Sequence, residues 1–236
     1  MTYFKINSIY KRNMTETDPV TGELKFVDKG KSGNKLILGN FACEEFNNIK
    51  RWRVDEKIDG TNIRIMYREG EVSFGGRTES AQIPAHLYNY LSKTFTVDKL
   101  DKSFPRQSNE DYAWPNVTIF GEGYGPKIQE PMGSNYRQDV SFICFDIKIF
   151  NWWIDRGYVH HLCGELGIDC VPEIGIMTNE EIFDFVGTLP LSRISKVPQM
   201  MEGVICRPEP LVLFRNQNPL IFKLKCKDII KLKDAA

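Results

Sequence analysis

Residues 51–77 read RWRVDEKIDGTNIRIMYREGEVSFGGR. Ile63, Ile65 and Tyr67 alternate with Arg64, Met66 and Arg68, the period-two pattern of a strand with one face against a core. Glu69-Gly70 offers a short reversal, and Val72 and Phe74 resume the alternation on the way back. A hairpin centred near Gly70 carries Arg77 to a level opposite about Asn62 or Ile63, and so back toward Lys57. Arg64 and Arg68 then form its solvated face. By itself Glu56-Lys57-Ile58-Asp59-Gly60 is only a strand entering a turn, where a lysine is ordinarily solvated.

Outward from this hairpin the same patterns continue. AHLYNYLSKTF after Pro84 reads as a helix with proline at its start. Val117–Phe120 and Val140–Phe150 read as strands, the second with Ile143, Phe145 and Ile147 on an apolar face and Asp146 on the other. Asp155–Leu166 is helical, and Thr178 with Glu181 forms a capping box for a helix reaching about Val186. Gly203–Arg207, Leu211–Arg215 and Ile221–Lys225 read as three short strands, the last with Lys223 and Lys225 on one face. KDIIKLK reads as a closing helix whose Lys227, Lys231 and Lys233 are solvated. Residues 15–35 are polar and turn-rich and read as an exposed hairpin or loop. These segments predict an α+β fold, antiparallel sheets flanked by helices, in a single domain over residues 1–236.

The chain carries 31 basic and 31 acidic residues, so its formal charge is zero. That excludes a polybasic protein held to nucleic acid by bulk charge; a phosphate site has to be local. MTYFKINSIYKRN lacks the apolar run of a signal peptide, and no window approaches the roughly 18 apolar residues of a spanning helix. A soluble cytoplasmic protein with no membrane partner is expected. Six scattered cysteines without a C-x-x-C pair predict reduced, mostly buried thiols. His160, His161, Cys163 and Cys170 fit no common zinc-ligand spacing.

Chemistry enters through order. After Glu56-Lys57-Ile58-Asp59-Gly60 come Gly75-Gly76-Arg77-Thr78, Phe120-Gly121-Glu122-Gly123, Cys144-Phe145-Asp146-Ile147, Glu202-Gly203-Val204-Ile205 and Phe222-Lys223-Leu224-Lys225. In this order the six resemble the motifs of the covalent nucleotidyltransferase superfamily, the polynucleotide ligases and mRNA capping enzymes. EKIDGTN followed by GGRT is most similar to the ATP-dependent RNA ligases of the RNA ligase 2-like branch. Asp59 stands where that branch usually has His, and is the residue found in DNA ligases and capping enzymes. The chain ends soon after Lys225, so a minimal ligase without a C-terminal domain is expected.

The residue types suit the chemistry. An amine attacking phosphorus has to be neutral, whereas free lysine has a pKa of about 10.4. Neighbouring cations disfavour the ammonium and offset phosphate charge, and Arg77, Lys223 and Lys225 are placed for both. Carboxylates such as Glu122 and Glu202 can hold a divalent metal or orient a ribose. The resemblance implies roles. Lys57 becomes lysyl-AMP, Glu56 lies at the adenine edge, and Asn62 and Arg77 contact phosphate or the acceptor end. Glu122 holds the ribose, Phe145 stacks on adenine with Ile205 opposite, Glu202 serves the metal, and Lys223 and Lys225 contact the α-phosphate. It implies ATP and Mg2+ (or Mn2+) as cofactors and RNA, or DNA ends, as partner; without a C-terminal domain the substrate is expected to be held by the core surface, by the N-terminal 50 residues or by an accessory protein. As plain sequence, Phe145 and Ile205 also suit a core. A DNA nick ligase, a capping guanylyltransferase and a non-catalytic nucleic-acid-binding relative remain open.

Overall fold

A computed structural model describes residues 2–26, 34–105 and 115–234. Along the chain run β1 (Asn7–Ser8), β2 (Tyr10–Arg12), β3 (Thr15–Thr17), β4 (Leu24–Phe26), β5 (Leu36–Phe41), β6 (Trp52–Lys57), β7 (Thr61–Arg68), β8 (Glu71–Gly75), α1 (Ala85–Thr94) and α2 (Val97–Ser103). They are followed by β9 (Val117–Tyr124), α3 (Met132–Tyr136), β10 (Ser141–Ile149), β11 (Trp152–Trp153), α4 (Arg156–Leu166), β12 (Asp169–Cys170), β13 (Glu173–Met177), α5 (Asn179–Gly187), β14 (Gly203–Pro208), β15 (Phe222–Lys225) and α6 (Cys226–Lys233). The fold is α+β. Two compact units divide it: Met1–Phe4 with Ile58–Pro172 and Ser192–Gln199, and Lys5–Lys57 with Glu173–Leu191 and Met200–Ala236.

The first unit is built on a sheet of order β11-β10-β9-β7-β8, with β12 added beside β10. The β7–β8 hairpin turns at Glu69 and Gly70, both at positive φ (50° and 78°), the backbone a two-residue hairpin requires. Its register, Arg64 opposite Gly75 and Tyr67 opposite Val72, is the one the sequence predicts. Ile63, Ile65 and Tyr67 are buried with Leu87 and Leu91 of α1 and Val159, Leu162 and Leu166 of α4, so these helices cover one face of the sheet. The predicted alternation in β10 is broken. The pairing with β9 shifts between Cys144 and Asp146, leaving Phe145 as the extra residue of a β-bulge. Phe142, Cys144 and Ile147 therefore share the helix-covered core, while Ile143 and Phe145 pack with Ile58, Tyr124, Tyr136 and Val171. An inserted residue exchanges the two faces beyond it, which is why Ile147 does not lie beside Phe145.

The second unit is built on a sheet of order β1-β15-β14-β6-β13. Its core joins Trp52 and Val54 of β6 to Val204 and Cys206 of β14, Phe222 and Leu224 of β15, Ile182 and Val186 of α5 and Ile229 of α6. Trp52 and Phe222 meet edge to face with centroids 4.5 Å apart. The Thr178–Glu181 capping box forms as the sequence predicts, and α6 occupies KDIIKLK, with Lys227 and Lys233 exposed. Leu211–Arg215 is not a strand. It makes one isolated bridge, Leu213 to Pro219, and Leu211, Val212 and Leu213 are exposed, so alternation there has no ladder to support it. Within the polar stretch 15–35, β3 and β4 form the expected hairpin, and residues 27–33 lie outside the described residues. All six cysteines are free; Cys144, Cys163, Cys206 and Cys226 are buried. No helix among the described residues is long and apolar enough to cross a membrane.

Candidate active site

In the second unit, β6 lies between β14 and β13, and its side chains alternate. Trp52, Val54 and Glu56 are buried, Glu56 on the side of the strand opposite Lys57. Arg53, Asp55 and Lys57 share the other face. Asp55 forms a buried ion pair with Arg207, and Arg53 pairs with Glu173 at 2.5 Å and Glu209 at 2.6 Å. Lys57 ends the strand opposite Gly203, which in turn lies opposite Lys225. Gly203 is what lets β14 and β15 close up there. A Cβ at that position would meet Leu224 O at 2.2 Å and Lys225 Cα at 2.6 Å.

The residue before that glycine is therefore held between two cations. Glu202 accepts from Lys57 Nζ through Oε2 and from Lys225 Nζ through Oε1, each at 2.5 Å. Burial would raise the Glu202 carboxyl, but the fields of Lys57 and Lys225 outweigh it and hold the group below its ordinary 4.5. The sequence reading surrounds Lys57 with cations. In the structure Lys57 contacts a carboxylate, which it shares with Lys225, one of those cations. Lys223 lies two pairs further along β15, opposite Ile205 of β14, and Ile205 lies opposite Asp55. Lys57, Gly203 and Lys225 thus make one row across the sheet, and Asp55, Ile205 and Lys223 make the next row on the same face, with Glu56, Val204 and Leu224 between them.

The remaining candidates belong to the first unit. Asn62 lies opposite Glu122, and Glu122 opposite Ile143, so these side chains share one sheet face. The Asn62 Oδ1 atom is buried and without a hydrogen-bond partner. Buried polar atoms are nearly always satisfied, so an unmatched acceptor is what a bound molecule carrying a donor would complete. Gly60 lets the turn after Lys57 approach β9, since a Cβ there would lie 2.6 Å from Gly123 O. Phe145 lies on the face of Ile143, half-buried, with its ring edge-on to Tyr3 at 5.0 Å. Tyr3 is fixed by its hydroxyl, which donates to Asp146 Oδ2 at 2.5 Å. No sequence pattern marks Tyr3, because it reaches β10 from a remote part of the chain. Arg77 is exposed on the turn after β8. The ladder ends at Gly75, yet a Cβ on Gly76 would lie 3.7 Å from Asn62 O, so the chain still runs beside Asn62. Arg64 is not solvated as the alternation predicts; it is buried.

Among the described residues no group of three or more His, Cys, Asp or Glu could hold a metal ion. Glu202 fits one as a single hard oxygen ligand, the mode in which Mg2+ or Mn2+ keeps water and phosphate oxygens as its other ligands.

A family model described as RNA ligase matches residues 50–225. The chain belongs to the RNA ligase family. The match covers every motif from Lys57 to Lys225. Among solved structures, this family member resembles Naegleria gruberi RNA ligase with pyrophosphate at 15% identity and a TM-score of 0.57, over 79% of this chain and 52% of that one. A lysine-to-alanine variant of the same enzyme with ATP and Mn is similar over 99% of this chain and 64% of that one, at 14% identity and a TM-score of 0.59. A glutamate-to-alanine variant with AMP and Mn is 17% identical, with a TM-score of 0.58, over 81% of this chain and 55% of that one. At these identities the likeness shows a shared fold. The chain spans about half the length of the first of these structures. A search of curated proteins found no match.

Proposed function

We propose that this chain is an ATP-dependent RNA ligase, a nucleotidyltransferase that joins RNA 5′-phosphate and 3′-hydroxyl ends. The observation that carries the reading is the Lys57–Glu202–Lys225 bridge. It puts a lysine at a strand end, a carboxylate in contact with its nitrogen and a second cation on the same carboxylate.

In the first step Lys57 Nζ, once neutral, attacks the α-phosphorus of ATP. The new N–P bond replaces the bond to the β-phosphate, and pyrophosphate leaves. Glu202 Oε2, which accepts from Lys57 Nζ, is placed to take the proton that Lys57 sheds, and Lys225 and Lys223 offer positive charge to the α-phosphate oxygens. In the second step an RNA 5′-phosphate oxygen attacks the same phosphorus, and the Lys57 amine leaves and is reprotonated. In the third, an RNA 3′-hydroxyl attacks the adenylylated 5′-phosphate and AMP departs. Glu122 and Asn62 suit the ribose and phosphate, Phe145 offers a ring face to adenine, and Arg77 is available to phosphate at the acceptor end. A divalent ion held by Glu202 would supply charge neutralisation on the triphosphate. Support for this substrate choice comes from the family and from the ATP- and Mn-bound forms of the Naegleria enzyme.

The test is covalent labelling. Protein incubated with Mg2+ and ATP labelled at the α-phosphate is denatured and examined for bound label, beside Lys57→Ala. Label on the wild type and none on the variant is expected, with GTP labelling poorly. Label retained by Lys57→Ala removes that residue from its role, and an unlabelled, folded wild type refutes the ligase reading. Nicked and single-stranded RNA and DNA substrates then separate RNA joining from DNA joining.

A further inference from the structure

Arg64 lies on β7 two residues beyond Asn62 and opposite Gly75 of β8, and it is 1% exposed. Its guanidinium passes across Gly75, where a Cβ would meet Nη2 at 2.8 Å and Cζ at 3.2 Å. Nε donates to Gly76 O at 2.8 Å and Nη1 to Glu79 Oε1 at 3.0 Å. These two contacts flank Arg77. The turn is also closed on itself: the Ala81 N–H donates to Thr78 O at 3.2 Å, and a Cβ on Gly76 would lie 2.8 Å from the Ala81 Cβ.

Stability alone does not account for a buried cation here. Desolvating a guanidinium costs several kcal/mol, and an apolar side chain of similar size commonly does as well in such a place. The Glu79 side chain is 76% exposed, so that ion pair contributes little to stability. What the planar fork adds is geometry: donors in fixed directions, aimed at the residues on either side of Arg77. The hydrogen bond from Arg64 also holds the Glu79 carboxyl below its ordinary range, which keeps it ionised as a partner.

We propose that Arg64 is a positioning residue that fixes the Gly75–Ala81 turn so that Arg77 is presented to phosphate in a single orientation. The inference rests on the role given to Arg77 above. It would account for both glycines of the Gly75-Gly76 pair: the first leaves room for the guanidinium, and the second lies against Ala81 with its carbonyl turned to Nε.

Two measurements test it. Amide hydrogen exchange on the free protein compares wild type with Arg64→Lys, which keeps the charge but cannot make both contacts in the same geometry, and with Arg64→Ala. Exchange at Ala81 and its neighbours in the turn should quicken at least tenfold in Arg64→Lys while the β7–β9 ladder keeps its protection. Unchanged exchange in the turn overturns the proposal, and so does loss of ladder protection or of the fold in Arg64→Lys, either of which would make Arg64 a core residue. Joining kinetics then compare Arg64→Lys, Arg77→Ala and the double variant. A displacement of about 1 Å can cost roughly 100-fold in rate, so Arg64→Lys should slow joining by about 10- to 100-fold. In the Arg77→Ala background the same change should cost less than about threefold, because positioning acts only through the residue positioned. A full multiplicative loss in that background overturns the proposal. If the wild type takes no label from ATP, the ligase reading fails, and the exchange measurement still decides the role of Arg64.

Discussion

Glu202→Gln removes one negative charge and nearly preserves the side chain's shape. The carboxylate it replaces accepts from Lys57 and Lys225 at 2.5 Å each, with Glu202 12% exposed and both lysines 19% exposed. A hydrogen bond between ionised partners contributes about 1.5–3 kcal/mol net, and partial solvent access favours the lower end, so the two together stabilise the fold by about 3 kcal/mol. Glutamine's carbonyl can still accept from one ammonium, returning about 1 kcal/mol. Repulsion between the two lysines, no longer offset, works against that return. The expected loss is about 2–3 kcal/mol, read as a lower urea midpoint at constant slope, or as a fall in Tm of roughly 4–12 °C for a chain of this size. The sign of the pH dependence follows from the Glu202 carboxyl, which lies below its ordinary 4.5 in the folded state. Its contribution is complete above the unfolded-state value and is lost as pH falls through the lower folded-state value, so wild type and variant should converge in acid. A loss under about 0.5 kcal/mol at pH 7, or a wild-type advantage untouched by acidification, would refute the view that this carboxylate ties the two strand ends together.

Three further outcomes are expected. Asp55→Ala strands the buried Arg207 charge and should cost about 3–5 kcal/mol in urea denaturation, much of it recovered when Arg207→Met is added; a double variant no better than the single would count against this. Gly60→Ala puts a methyl 2.6 Å from Gly123 O and should destabilise by about 1–3 kcal/mol in thermal melts, and a neutral result would mean that the turn yields freely. Phe145→Ala, made in the Lys57→Ala background so that binding is read without reaction, should weaken ATP binding by roughly 3- to 10-fold in calorimetry, and an unchanged affinity would return Phe145 to a packing role.

The hairpin that carries Asn62 was legible because alternation, turn residues and register all agree over 61–75, and the closing strand and helix because Lys223-Leu224-Lys225 and KDIIKLK keep their periods. Two features were not legible, for different reasons. The bulge at Phe145 leaves no mark in composition, since an extra residue among apolar neighbours looks like continued alternation. Arg64 obeys the pattern of an outward-facing position, and only the folding of Gly75–Ala81 across it turns that position inward. In the site, the motif order located Lys57, Glu202 and Lys225, but the contact among them comes from the β6–β14–β15 register, which no single segment encodes. Leu211–Arg215 fails the other way: its residues favour a strand, but among the described residues it meets only the segment 218–220 that follows it, through one bridge and two backbone hydrogen bonds.

The bridge spans 145 positions between Lys57 and Glu202. A ribosome adding about 5–20 residues per second needs roughly 7–30 s to make that interval, so the nascent chain carries its lysine long before the counter-charge exists. During translation the lysine therefore lacks its carboxylate partner, and the bridged arrangement arises only when the late strands dock. Activity should then appear abruptly with completion of the β1-β15-β14-β6-β13 sheet, so that in a synthesis time course capture of nucleotide reports assembly of the second unit more sharply than helix content does.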